Sequence, residues 1–238
     1  MEIANFWVYF AARPLFWIVV TLVSFMVATW INRKAGGTAL LHPVFVAMLM
    51  IISVLLLTQT DYSTYFEGAQ FIHFMLGPAT VALAIPLYDH LARIRRLLLP
   101  ILVTCVTGSI FAAATTLAVG ILMGGDARLL LSLAPKSVTS PIAIGISEQI
   151  GGYPSLSAGL ALLTGVIGCL TAPAVFRLLR LKSDAAMGFA LGLSAHGFGT
   201  AYAVQTSAIA GAFAGLAMGL TGVLSSLLIP PLVRLFGL

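Results

Sequence analysis

The sequence predicts an all-α polytopic membrane protein, and three observations predict it. Of 238 residues, 60% are hydrophobic and only 8% are charged, with a mean hydropathy of +1.08. A soluble domain carries about 25% charged residues, so polar side chains are too few here to cover a water-facing surface. The charge-free runs repeatedly reach the length of about 20 residues that a helix needs to cross a hydrocarbon core. They also lack the strict alternation of barrel strands, and a spanning segment must satisfy its own backbone, so helices are predicted.

In order, the runs are Leu15–Asn32, Leu40–Thr60, Gly68–Tyr88, Leu97–Met123 and Ser155–Phe176, followed by Ala185–Val233, 49 residues long enough for two passes. Leu129–Ser147, interrupted by Lys136, makes about eight hydrophobic segments. Residues 1–238 are thus read as one integral membrane domain. The N-terminus lacks a cationic region followed by a small-residue cleavage site, so its first run reads as a retained span.

Nine of the twelve Lys and Arg residues fall in four places: Arg33/Lys34, Arg93/Arg95/Arg96, Arg177/Arg180/Lys182 and Arg234. Short basic clusters between apolar runs are topology signals, not a nucleic-acid groove, and the first three are assigned to the cytoplasm. Two runs separate the first cluster from the second, but three separate the second from the third, and three crossings cannot return to one side. One segment must therefore enter and leave by the same face. Leu129–Ile150 is the candidate, because Pro135 and Pro141 prevent a continuous helix and Lys136 sits between them. Irregular backbone at membrane depth is tolerated only inside protein or along an aqueous cavity.

Thr107-Gly108 and Thr164-Gly165 lie 57 residues apart, and Asp126-Ala127 and Asp184-Ala185 lie 58 apart. Each pair opens a unit made of one long span, an acid-marked turn and an interrupted segment, giving candidate inverted repeat units at about 97–154 and 155–211. Paired broken helices in inverted repeats place a substrate near the midplane. In the second unit the interruption is Ser194-Ala195-His196-Gly197-Phe198-Gly199-Thr200. A third stretch, Gly77-Pro78-Ala79-Thr80, either faces the same cavity or is a simple proline kink.

Lys136 is the residue most indicative of function. A lysine at membrane depth costs at least ~2.5–3.5 kcal/mol on insertion scales and normally pairs with an acid or lines a pathway. Ser137, Thr139 and Ser140 add hydroxyls, and a helix restarting at Pro141 aims backbone N–H groups at the same place. Together they suit a small carboxylate, with Thr80, His196 and Thr200 as further candidate contacts; a Lys136–Glu148 pair that merely orients the segment is the alternative. His196 can titrate near neutral pH or simply satisfy an interhelical hydrogen bond. Pro78, Pro135, Pro141, Gly197, Gly199 and Glu148 are candidate breaking or gating positions. Gly211, Gly215 and Gly219 recur every four residues as a helix-packing face. Cys105 and Cys169 lie within apolar runs as buried residues. Neither a metal-ligand spacing, a nucleophile motif nor a phosphate loop is present in the sequence, so neither enzyme chemistry nor a cofactor is expected.

Three stretches resemble the LrgB/CidB family: Gly77-Pro78-Ala79-Thr80-Val81-Ala82-Leu83-Ala84-Ile85-Pro86-Leu87-Tyr88; Leu133-Ala134-Pro135-Lys136-Ser137-Val138-Thr139-Ser140-Pro141-Ile142-Ala143 with Gln149-Ile150-Gly151-Gly152; and Ala212-Phe213-Ala214-Gly215-Leu216-Ala217-Met218-Gly219-Leu220. The resemblance spans nearly the whole chain. It implies a bacterial inner-membrane protein working beside a smaller holin-like partner of the LrgA/CidA type. The family was first described as antiholin-like, modulating murein hydrolase activity and cell lysis. Bacterial members are also linked to pyruvate, and plastid relatives exchange glycolate and glycerate. Two positions depart from its pattern: Ala195 stands where serine commonly precedes His196, and Ala210 where an acid precedes Gly211, so a coupling mechanism does not carry over at these positions. The functions in view are a monocarboxylate carrier and a non-transporting regulator that binds the holin-like partner. A hole-forming holin comes third, since holins are generally far shorter. Assembly into a homo-oligomer is open.

Overall fold

The computed structural model of the chain describes residues 14–37, 41–82, 88 and 91–238. The described residues form ten helices: α1 Pro14–Lys34, α2 Pro43–Thr58, α3 Tyr62–Ala82, α4 Leu91–Arg96, α5 Leu98–Leu122, α6 Ala127–Leu133, α7 Ser140–Ile150, α8 Pro154–Leu178, α9 Asp184–Thr206 and α10 Ala208–Leu235. Four of them, α1, α5, α8 and α10, are long and apolar enough to cross a membrane. The protein is an all-α, multi-pass membrane protein. Its chain divides into two compact units, Met1–Ala82 and Leu83–Leu238.

The first unit is organised around Trp17 of α1, which is fully buried. Its indole meets the Tyr65 ring edge-on at 5.6 Å, and Gly68 leaves the space that the indole fills. The hydroxyls of Thr21 and Tyr65 lie 3.1 Å apart, tying α1 to α3. Helix α3 continues through Pro78, so the backbone shows no interruption there. The Thr80 side chain lies outside the described residues.

In the second unit, alanines make up about half of the buried apolar side chains, beside larger ones such as Leu117 and Phe213, while many leucines and phenylalanines face outward. Ala113, Ala143, Ala161, Ala195, Ala203, Ala212 and Ala214 are buried, whereas Leu99, Phe111, Leu122 and Leu227 are exposed. The alanine share is the expected economy in lipid, where burying a leucine gains little and close backbone approach gains packing.

Two long helices of 25 residues each, α5 and α8, precede the two interrupted segments. The first interrupted segment is re-entrant. Asp126 caps α6 by accepting from the Leu129 amide at 2.9 Å, and the helix ends after only 7 residues. Helix α7 restarts at Ser140 with Thr139 as N-cap and Pro141 within its first turn, where the missing N–H costs nothing. Gly152, past the end of α7, lies against the backbone of Leu131 and Ser132 in α6, and the Tyr153 ring meets Arg128 in the first turn of α6, so the chain returns beside the arm by which it entered. Arms of 7 and 11 residues are about 10 and 16 Å long, from a third to just over half of the ~30 Å hydrocarbon core.

The second interrupted segment also folds back on itself, and this differs from the expected two passes over Ala185–Val233. In α9 the backbone leaves helical geometry at His196, with φ 37° and ψ −118°. Gly199 lies directly against the Leu191 carbonyl, eight residues earlier. A continuous helix would hold those residues about 12 Å apart. Residues 184–195 and 197–206 are therefore antiparallel arms of one hairpin. Helix α10 then runs parallel to the first arm, with Gly188 on Ala210 and Gly192 on Ala214, and antiparallel to the second, with Gly211 on Val204. The 49-residue run yields one hairpin and one spanning helix because glycine lets α9 lie backbone-to-backbone on α10.

Candidate functional site

Lys136 and Ser137 occupy the tip of the first hairpin, between the buried Pro135 and Val138. The tip is pinned from behind by hydroxyls. Ser157 of α8 donates to the Ser132 carbonyl at 2.8 Å and lies 2.8 Å from Ser147 Oγ, and Ser132 Oγ accepts from the Tyr153 amide at 2.7 Å. All three serines are fully buried. Ser140 Oγ donates to the Ala158 carbonyl at 3.2 Å, so it anchors the start of α7 to α8. Near the hairpin's base, the Arg128 guanidinium lies 4.2 Å from the Tyr153 ring centroid, an arrangement typical of the membrane interface.

The Lys136 ammonium is half-buried and donates to Ser137 Oγ at 3.4 Å. An ammonium has three donors, and among the described residues this is the acceptor within reach. Glu148 lies on the opposite arm, exposed. Lys136 and Ser137 form one end of a cavity of about 1050 Å³. Its walls come from Leu97 and α5 (Ile101, Thr104, Gly108), α8 (Thr164, Ile167, Thr171) and the first arm of α9 (Phe189, Leu193, Ser194). Among the described residues lining it, Lys136 alone carries a formal charge. An apolar cavity with one cation and a few hydroxyls orients an anion by one end and leaves the rest unselective.

The second hairpin brings its own tip towards the first. His196 is buried, and its Nε2–H donates to the Ala161 carbonyl of α8 at 2.9 Å. It lies within electrostatic reach of Lys136. His196 does not line the cavity; its ring lies against Gly165 of α8. Thr200 is directed elsewhere: its hydroxyl donates to the His196 carbonyl at 2.8 Å and approaches Met218 Sδ at 3.6 Å. Thr139 serves as N-cap residue without a side-chain cap bond, and Pro141 is exposed. Of the residues singled out from sequence, Lys136 and Ser137 line the cavity, Thr139, Ser140 and His196 do not, and Thr200 braces the second hairpin.

Close packing is distributed differently from the predicted stripe. Gly211 is in tight contact with Val204, whereas a side chain at Gly219 would meet open space. The closest approaches belong to Gly188 and Gly192, where a Cβ would overlap the Ala210 and Ala214 carbonyls. Sequence reasoning did not select Thr104, Thr115, Thr164, Thr171 or Ser194 for the cavity. Their signal was weak, since a threonine inside a membrane helix usually just bonds its own backbone, as Thr115 does to the Phe111 carbonyl at 2.6 Å.

Comparison with known proteins adds a family to this geometry. The model of the LrgB-like family matches residues 21–235. The antiholin-like protein LrgB of Bacillus subtilis (strain 168) is 33% identical over 226 residues, covering 94% of this chain and 97% of that protein. Proteins of the same name from Bacillus mycoides (strain KBAB4) and Bacillus cereus (strain B4264) are each 32% identical over 224 residues, with 94% and 97% covered. No solved structure matches the chain. The protein belongs to the LrgB-like family.

Proposed function

We propose that this protein is a carrier for small monocarboxylates of the pyruvate, glycolate or glycerate type, acting in the bacterial inner membrane. The observation that carries the reading is Lys136: a cation at the tip of a re-entrant hairpin, ending an otherwise apolar cavity, with donors to spare. Charged groups at membrane depth are retained for pathways or partners, and no acid of the described residues bonds this one. In this reading Lys136 neutralises the carboxylate and Ser137 donates a second hydrogen bond. His196 fixes the facing hairpin to α8 without touching the substrate. The protein binds and moves its ligand and carries out no covalent chemistry.

A second reading is favoured by the relatives, which are named antiholin-like proteins. In that reading the protein regulates murein hydrolase activity and lysis by binding a smaller holin-like membrane protein, and the cavity is incidental. The two separate on purified protein in liposomes, assayed alone and with a smaller holin-like membrane protein of the LrgA/CidA type. Saturable pyruvate or glycolate uptake that Lys136→Ala abolishes, with the variant still folded, supports the carrier. Absence of flux in both preparations, with Lys136→Ala still capturing the partner, leaves the regulator.

A further inference from the structure

Lys136 borders a second cavity as well. This one has a volume of about 390 Å³ and is lined by Thr115, Thr116, Val119, Gly120, Met123 and Leu133 besides Lys136. The two cavities share two residues, Lys136 and Thr115. Helix α5 forms a wall of both: the larger cavity follows it from Leu97 to Thr115, the smaller from Thr115 to Met123. Its 25 residues span about 38 Å, more than the hydrocarbon core, so the two cavities together accompany the helix across the membrane. The Leu97 end adjoins Arg95 and Arg96, the cluster assigned to the cytoplasm, and the Met123 end adjoins Asp126.

From this we infer that the two cavities are halves of one path along α5, divided by Lys136 and Thr115, and that the smaller one is an outward-side subsite for the same carboxylate. The inference rests on the carrier reading above. A carboxylate held by Lys136 on the Ser137 side can pass to the Thr115 side without leaving the cation, because an ammonium on a flexible stem presents donors in several directions. The receiving hydroxyl is available by rotation: Thr115 donates to its own helix at Phe111, and threonine in a helix divides between two χ1 rotamers. Thr116 stays turned to the Ala112 carbonyl at 2.6 Å and shapes the wall. The path thus needs no full dehydration of the anion without a partner, which is the costly step for any ion at this depth.

Single cysteines placed in each cavity test this in the full-length protein in liposomes. Ala186→Cys reports on the larger cavity and Val119→Cys on the smaller; both native positions are exposed, and the native Cys105 and Cys169 are buried, so the wild type is the blank. Modification by a membrane-impermeant thiol reagent is timed with and without pyruvate. The expected result is labelling of the two cysteines from opposite faces, several-fold slowing of both by pyruvate, and loss of both protections in Lys136→Gln. Protection of Ala186→Cys alone overturns the shared path while leaving a carrier. Protection of neither, together with absence of flux, overturns the carrier reading and this inference with it.

Discussion

The two folded-back segments solve one problem with different chemistry. Both must reverse direction inside protein where every backbone group needs a partner. The first, α6 and α7, spends six residues, 134–139, on its tip and is held by hydroxyl hydrogen bonds among Ser132, Ser147 and Ser157. The second turns on one residue, His196, and is held by glycine contacts that set backbone on backbone. Hydrogen bonds between membrane helices contribute about 0.6 kcal/mol each on average and exchange readily. Backbone contacts through glycine cannot be traded for any other partner. The hydroxyl-held hairpin carries the cavity's cation, and the glycine-held hairpin gives it a fixed wall.

The largest effect should come from filling a glycine contact. Gly192→Leu drives a side chain into the Ala214 carbonyl, with backbone on both sides and no rotamer that escapes. We expect loss of monodisperse protein on size exclusion after detergent extraction. A variant that elutes and behaves as wild type would show that α9 and α10 are not this close. Next comes Lys136→Ala, expected to abolish carboxylate flux while leaving elution and thermal stability near wild type, since its one hydrogen bond is long. A destabilised Lys136→Ala would instead recast the cation as a structural anchor of the tip.

A smaller loss is expected at the hydroxyl cluster. Ser157→Ala leaves the Ser132 carbonyl and Ser147 hydroxyl short of a buried partner, a cost of about 1–3 kcal/mol. Thermal unfolding in detergent should register it. If the first hairpin is the more adjustable of the two, protease sensitivity of the 134–139 tip should rise in this variant before the rest of the protein unfolds.

How far the sequence foretold this comparison depends on the kind of signal each hairpin leaves. The first was legible twice, by charge parity between basic clusters and by two prolines around a lysine, because both reflect costs a membrane imposes on any helix. The second was not. Ala185–Val233 carries no charge to mark a reversal, and its length suits two crossings as well as a hairpin plus one. The available clue was the density of glycine at 188, 192, 197 and 199, but the spacing of 211, 215 and 219 looked equally regular. Small-residue spacing marks a face and not the partner it meets, and open space at Gly219 shows the limit of that signal. Lys136 could be read from its cost; the walls around it depend on which helices meet, so Thr115 and Ser194 emerge only from the fold.

The smallest effect, and the one that dissects the second hairpin most cleanly, is at His196. Its backbone lies at positive φ, a conformation that costs a non-glycine residue about 1–3 kcal/mol. Its side chain returns a hydrogen bond to the Ala161 carbonyl with a net contribution of about 0.5–1.5 kcal/mol. His196→Ala loses the bond and keeps the strain, so it should be destabilised. His196→Gly loses the same bond but relieves the strain, so its melting temperature should lie close to wild type and above that of the alanine variant. If the tip serves only as a wall, flux follows stability and the glycine variant transports. If flux fails in both while the glycine variant remains stable, the imidazole itself acts on the carboxylate bound at Lys136, and the division between a fixed hairpin and a ligand-bearing one is broken.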